Sequence, residues 1–383
     1  MIEKLSRRSF LSSASATAAT VGLSGISSFV PSNWILEPRT PLAPQGSPAL
    51  KDHASAKGML FGAAGRQDLL SRKPELAQLF AQQCDILVPD GELKWGQLRP
   101  SPDSFNFAPA DWLLNFCQQN NMKYRGHTLV WYQGLPKWFN SYVNASNARP
   151  LLVNHINTVV GRYAGKMQSW DVVNEVMNPK DNRPDGLRNS PWLQFLGPDY
   201  LEFAFRTAYA ADPKALMIWN ENWLEEETPE GESKRRAMIK ILKDMQSKNV
   251  PIHGIGIQSH LVGDHASIIG GAGFQRFLHE VRDMNLKIIV SELDVSDQNL
   301  PADAGARDQA ITNLYYSYLS AVLKHKSVIA VLTWGLTDNY SWLGTYKARP
   351  DKLPVRPLPF DANMSPKPVW SAIARAFDEA PVR

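Results

Sequence analysis

Two glutamates, Glu175 and Glu292, close short apolar runs at Ser169–Glu175 and Lys287–Leu293. A pair of carboxyl groups facing each other can break an acetal. One protonates the departing oxygen, and the other attacks the carbon or activates a water that does so. The residues beside them suit that chemistry. Gln258 and His260 end a third apolar run, Gly254–His260, and Asp294 lies two residues past Glu292. Hydrogen bonds from His260 favour an ionised carboxylate, and Asp294 can orient His260. Asn174 can hold a sugar hydroxyl beside the bond being broken, and Trp334 and Trp342 offer flat apolar faces. Such faces wall a sugar and lower the local dielectric, which keeps an acid protonated. Taken singly, a strand-end Glu or a lone histidine such as His127 is more often structural. Two glutamates, two histidines, amides and paired tryptophans at strand ends point together to a site. Nothing in the set requires a metal or an organic cofactor.

These residues need a frame that brings distant strand ends together. From residue 58 the chain alternates apolar strands with amphipathic helices. The expected strands are Met59–Ala64, Ile86–Asp90, Lys123–Leu129, Ser169–Glu175, Leu216–Asn220, Gly254–His260, Lys287–Leu293 and Val328–Gly335. Most are short and rich in Ile, Val or Leu, as parallel strands buried on both faces are. The expected helices are Glu75–Gln83, Asp111–Asn121, Leu151–Lys166, Tyr200–Ala211, Ser233–Ser247, Phe274–Asn285, Arg307–Lys324 and Pro366–Glu379. In the fifth, Met238, Ile241, Leu242 and Met245 make one apolar stripe for packing. Eight such units close into an α/β (β/α)8 TIM barrel, whose functional residues gather at the C-terminal ends of the strands. An open doubly wound sheet is the alternative, but the first strand has no Gly-rich turn after it.

Composition narrows the classes. The 383 residues carry a net charge of +4, with no long run of one sign. No nucleic-acid footprint is visible. The acidic triplet Glu225-Glu226-Glu227 reads as a solvated loop. Cys84 and Cys117 lie in apolar surroundings outside any CxxC pattern and read as buried free thiols. No Cys/His spacing resembles a structural zinc site. Arg7-Arg8 followed by Phe10-Leu11 and an Ala/Ser-rich stretch reads as a twin-arginine export signal over residues 1–30. A Pro-rich linker is expected over 31–57 and the barrel over 58–383. The leader is too short and polar for a stable membrane anchor. The expected protein is exported, periplasmic or extracellular, and monomeric.

Several strings resemble glycoside hydrolase family 10, the retaining endo-β-1,4-xylanases. They include Arg125-Gly126-His127-Thr128-Leu129-Val130-Trp131, Trp170-Asp171-Val172-Val173-Asn174-Glu175 and Gly254-Ile255-Gly256-Ile257-Gln258-Ser259-His260. They continue with Ser291-Glu292-Leu293-Asp294-Val295, Thr333-Trp334-Gly335-Leu336-Thr337-Asp338, Tyr340-Ser341-Trp342 and Pro366-Lys367-Pro368. The resemblance spans residue 58 to the end. It implies Glu175 as acid/base, Glu292 as nucleophile, and Asn174, Gln258 and His260 as their supporting network. It also implies that Lys94, His127, Trp131, Trp334 and Trp342 contact the sugar chain.

The departures cluster at one place. The family's Thr-Pro-Glu-Asn is here Val88-Pro89-Asp90-Gly91, ahead of Lys94-Trp95. Its Trp-His-Ser-Gln is Trp131-Tyr132-Gln133-Gly134, and its Asn-Asp-Tyr-Asn is Asn220-Glu221-Asn222-Trp223. Most of these changes lie where the family grips the second sugar on the non-reducing side. Intact chemistry is expected, with space opened at Gly91 and Gly134 for a decorated xylose or another sugar. The competing readings are the same mechanism on a decorated xylan or another β-glycan, a non-catalytic carbohydrate-binding protein, and a cytoplasmic barrel for phosphorylated substrates. The paired glutamates argue against the binding protein. The leader and the lack of a glycine-rich phosphate loop argue against the cytoplasmic barrel.

Overall fold

A computed structural model describes residues 48–383. The expected export segment and most of the expected linker lie outside them. Eight parallel strands form the ring. They are β1 (Leu60–Gly65), β2 (Ile86–Pro89), β3 (Lys123–Gly126), β4 (Ser169–Asn174), β5 (Leu216–Glu221), β6 (Gly254–Ile257), β8 (Lys287–Ser296) and β9 (Val328–Thr333). Each pairs with its neighbours in order, and β1–β9 and β6–β8 pairing completes the closure. The (β/α)8 barrel is therefore present.

The expected strands are found in place, with three differences. The third strand stops at Gly126, three residues short of the expected Leu129. The sixth is broken: Ser259 turns left-handed at φ 61°, and the chain resumes as β7 (His260–Val262). The seventh is longer than expected, because β7 pairs with its upper half at His260↔Asp294. That pairing gives the Asp294–Ser296 segment a neighbour along its edge.

The eight expected helices are present with shifted ends, from Pro74–Gln83 to Pro368–Asp378. Several begin with a proline at the first turn, where its missing N–H costs nothing. In the helix Pro229–Ser247 the Thr228 hydroxyl also accepts from Gly231 N at 3.0 Å, an N-cap. The core has two parts. One, with Val88, Ile218, Ile289, Ala330 and Leu332, comes from strand residues capped by Trp334 and fills the ring. The larger part lies between strands and helices.

Two expectations need correction. The linker was expected to run to residue 57, but Leu50–Ser55 is a helix with Leu50 and Ala54 fully buried. Apolar side chains at i and i+4 share a helix face, and that face packs into the core. The acidic triplet is not a solvated loop. Glu225 is buried, and Glu226 pairs with His265 Nδ1 at 3.0 Å. Glu227 accepts from Phe274 N at 2.7 Å, satisfying an open amide in the first turn of the helix Ala272–Asp283. Cys84 and Cys117 are both free and buried. Among the described residues no helix is long and apolar enough to cross a membrane, and no acidic, His or Cys group could hold a metal ion.

Candidate active site

The C-terminal ends of the strands open into a cleft of about 590 Å³. Asp90, Lys94, His127, Trp131, Asn174, Glu175, Gln258, His260, Glu292, Trp334 and Trp342 all line it. Asp294 sits just behind, bonded to two of them. The sequence-expected residues are thus brought to one place.

Glu175 follows β4 directly and turns left-handed at φ 53°. Its amide still donates to Asn220 O on β5 at 3.0 Å. A non-glycine residue at positive φ is uncommon and costs on the order of 1–3 kcal/mol. The surroundings hold it. Arg188 Nε donates to Glu175 O at 2.7 Å, and its Nη2 donates to Met177 O at 3.2 Å. Met177 N donates to Glu221 Oε2 at 3.2 Å, and Lys234 pairs with Glu221 at 2.8 Å.

Glu292 is almost fully buried on β8. Asn220 Nδ2 donates to its Oε1 at 2.6 Å, and His260 Nε2 lies 3.2 Å from its Oε2. The other His260 nitrogen, Nδ1, lies 2.9 Å from Asp294 Oδ1. Burial pulls the imidazole toward neutrality, but the Asp294 and Glu292 charges and hydrogen bonds outweigh it and raise its pKa to about 10. For Glu292 burial works upward. His127, His260 and Lys94 overcome it and bring the carboxyl down to about 2. Glu292 is therefore held as an anion.

Three amides connect the two glutamates. Gln258 Nε2 donates to Glu175 Oε1 at 3.0 Å and to Asn174 Oδ1 at 3.1 Å. Asn220 Nδ2 donates to Asn174 Oδ1 at 2.9 Å as well as to Glu292. Ser291 Oγ in turn donates to Asn220 Oδ1 at 2.6 Å. The Asn174 carbonyl is thus saturated within the protein, leaving its amide nitrogen as the donor.

His127 Nδ1 lies 2.9 Å from Asp171 Oδ2, and Asp171 is also bound by Arg125. That pairing fixes the His127 ring on the cleft wall, so both readings of this histidine hold: it is internally satisfied and it lines the site. Lys94 Nζ lies 5.1 Å from the Trp131 ring centroid, 5.4 Å from that of Trp334 and 3.9 Å from Asp90 Oδ1. Trp342 Nε1 donates to Asp294 Oδ2 at 2.7 Å, so Asp294 orients an indole as well as His260.

The space expected at Gly91 and Gly134 does not open into the main cleft; Gly91 instead lines a neighbouring hollow with Asp90, Glu92, Lys94 and Gln97. A Cβ at Gly91 would lie 2.3 Å from Gln97 Nε2, so a side chain already fills that place. Gly134 has φ 63°, and the Trp131 ring stands 3.1 Å from where its Cβ would be. That glycine answers to a left-handed turn. Neither glycine lines the main cleft.

Sequence reasoning missed Arg188, Lys234 and the role of Asn220. Asn220 had a signal, since it ends a strand beside Asn174. Arg188 and Lys234 come from a loop and a helix, and nothing periodic marks them.

The profile of glycosyl hydrolase family 10 matches residues 49–376. An endo-1,4-beta-xylanase 3 of Hypocrea jecorina is 34% identical over 332 residues, covering 86% of each chain. Among solved structures, xylanase 10B of Thermotoga petrophila in complex with xylobiose superposes with a TM-score of 0.78 at 30% identity. That similarity covers 86% of this chain and 97% of that one. Xylanase 10B of Thermotoga maritima gives a TM-score of 0.77, also at 30% identity, over 86% and 98% of the two chains.

Proposed function

The chain belongs to glycosyl hydrolase family 10, and from that premise we propose that it hydrolyses β-1,4-glycosidic bonds of xylan with retention, through Glu175 and Glu292. One observation carries the residue assignment. Both carboxyl groups line one cleft and share the Gln258–Asn174–Asn220 amide chain, while His260 and His127 keep Glu292 ionised.

The steps follow from that arrangement. Glu292 attacks the anomeric carbon as Glu175 gives its proton to the glycosidic oxygen, and the leaving chain departs with a free hydroxyl. The sugar is then an ester of Glu292. Glu175, now a carboxylate, takes a proton from water, whose oxygen attacks the same carbon and frees Glu292. Asn174 and Lys94 bind hydroxyls of the sugar held over Glu292, and Trp334 and Trp342 wall it.

The test is product release from xylan, arabinoxylan, glucuronoxylan and mixed-linkage glucan. Glu292→Ala should abolish turnover, and azide should restore it with inverted product stereochemistry. Substantial activity of that variant without azide would remove Glu292 as nucleophile. The panel also decides a second reading, the same chemistry on a decorated xylan or another β-glycan. Its support is the shortened Asp90 beside Lys94 and the Arg188 guanidinium stacked 4.1 Å from the Tyr132 ring centroid.

Export by the twin-arginine route over residues 1–30, and delivery to the periplasm or medium, belong to the same proposal. Replacing Arg7 and Arg8 with lysine should leave the protein in the cytoplasm. Undiminished export of that double variant would refute the route.

A further inference from the structure

A general acid works only from the right place, and Glu175 holds its place on a strained backbone. Its φ of 53° persists only if the surroundings impose it. The chain beyond it runs out and returns as a hairpin. Met177 pairs antiparallel with Leu187, Asn178 N donates to Gly186 O at 3.1 Å, and Arg188 N donates to Val176 O at 2.7 Å. The return brings Arg188 back beside Glu175. Its Nε and Nη2 donate to Glu175 O and Met177 O. Both bonds go to main-chain carbonyls and neither to a carboxylate. An arginine used in this way fixes a backbone rather than neutralising an acid. Such charge-assisted hydrogen bonds are roughly twice as strong as neutral ones.

The guanidinium is itself seated. Tyr132, half-buried in the loop after β3, lies under it with the ring centroid 4.1 Å away. This tyrosine stands at one of the positions where the chain departs from the family strings. Burial raises its hydroxyl above the ordinary range, so a neutral phenol ring faces the cation. The two loops are also pinned together. Trp192 Nε1 donates to Trp131 O at 2.9 Å, and Trp192 is buried. Its short helix, Pro191–Leu196, is capped by Ser190 Oγ, which accepts from Leu193 N at 3.2 Å. A planar fork resting on a fixed ring reaches both carbonyls from one position, which an ammonium does not. Glu292 takes no part in this. Asn220 and His260 hold it from other strands.

We propose that Arg188, seated on Tyr132, is a positioning residue for proton transfer, setting where Glu175 meets the glycosidic oxygen without acting on Glu292. The proposal rests on the assignment of Glu175 as acid/base, which it deepens.

The experiment separates proton delivery from nucleophilic attack. Phenyl and dinitrophenyl β-xylobiosides place the same sugars and a similar ring in the cleft. Phenol leaves only with a proton from Glu175, whereas dinitrophenolate leaves as an anion. The readout is kcat/KM for the phenyl substrate divided by that for the dinitrophenyl substrate. In Arg188→Leu this ratio should fall roughly thirtyfold, the scale at which a misplaced group acts. The fall should be largest in Glu175→Ala. Arg188→Lys should fall with Arg188→Leu, since it keeps the charge and loses the fork. Tyr132→Ala should lower the ratio more than about threefold, and Tyr132→Phe should keep it, because the ring face is what Tyr132 supplies. Turnover of the dinitrophenyl substrate shows that a variant is folded. If Arg188→Leu does not fold, Tyr132→Ala carries the same test. A ratio within about threefold of wild type in Arg188→Leu overturns the proposal and leaves Glu175 as the acid. A wild-type ratio in Arg188→Lys overturns it too, because charge alone would then explain the loss. A wild-type ratio in Glu175→Ala overturns the acid assignment and the proposal with it.

Discussion

His260 touches two acids at once, Glu292 through Nε2 and Asp294 through Nδ1. Its raised pKa and the lowered pKa of Glu292 have a common origin, the exchange of charge between them. The acid limb of kcat/KM reports the essential base of the free enzyme. With Glu292 near 2, that limb should lie below the ordinary glutamate range of about 4.3. His260→Asn removes a cation, so the limb should move up toward that range; a pH–rate profile checks this. Stability follows the same signs. The His260 contribution is complete below its unfolded pKa of about 6.5 and is lost as pH rises toward 10. The Glu292 contribution is present above about 4.5 and is lost as pH falls toward 2. Wild-type stability should therefore decline on the alkaline side, and His260→Asn should flatten that decline. The meeting of Glu175, Glu292 and His260 in one cleft was legible from sequence because each lies at or near the end of an apolar run. Lys234 was not, because a lysine in the first turns of a polar helix carries no mark of being 4% exposed.

The loop that presents Trp334 and Trp342 is fixed from the far end of the chain. Lys367, just before the helix Pro368–Asp378, donates to Asp338 Oδ2 at 3.0 Å, Arg356 O at 2.6 Å and Leu358 O at 3.0 Å. Both charges are buried. Burial raises Asp338 to about 6 and lowers Lys367, each opposed by the other's charge. Removing one partner of such a pair typically costs about 3–5 kcal/mol, because the other charge is stranded. Lys367→Met should lose stability of that order at pH 7, measured by urea unfolding. The loss should shrink below pH 6, where Asp338 can take a proton instead. At this scale every strand was found at its expected place, since a buried strand has a dense apolar signature, although the third, sixth and seventh end three residues from where they were expected. The break at Ser259 was not, because a left-handed serine leaves no compositional trace. Gly91 misled for a related reason. A glycine implies room only when no side chain from elsewhere enters, and Gln97 does enter.

The barrel closes on itself through the two ends of the described residues. Arg383 N donates to Lys57 O at 3.0 Å, and Arg383 Nε donates to Val328 O at 2.8 Å. His53 Nδ1 lies 2.7 Å from Asp378 Oδ1, joining the first described helix to the last. Closure of this kind, over two extensive apolar clusters, needs no covalent staple. Cys84 and Cys117 agree with that. Both are buried and free, and burial pushes both thiols upward, Cys117 to about 12. A thiol kept protonated and out of solvent neither attacks a disulfide nor forms one readily. The fold should then be indifferent to redox state, as the proposed export of an already folded chain requires. Thermal unfolding with and without dithiothreitol should give the same Tm. A disulfide contributes about 2–4 kcal/mol, so its reduction would lower Tm by several degrees. A drop of that size would mean that the two cysteines are bridged and that the barrel depends on an oxidising environment.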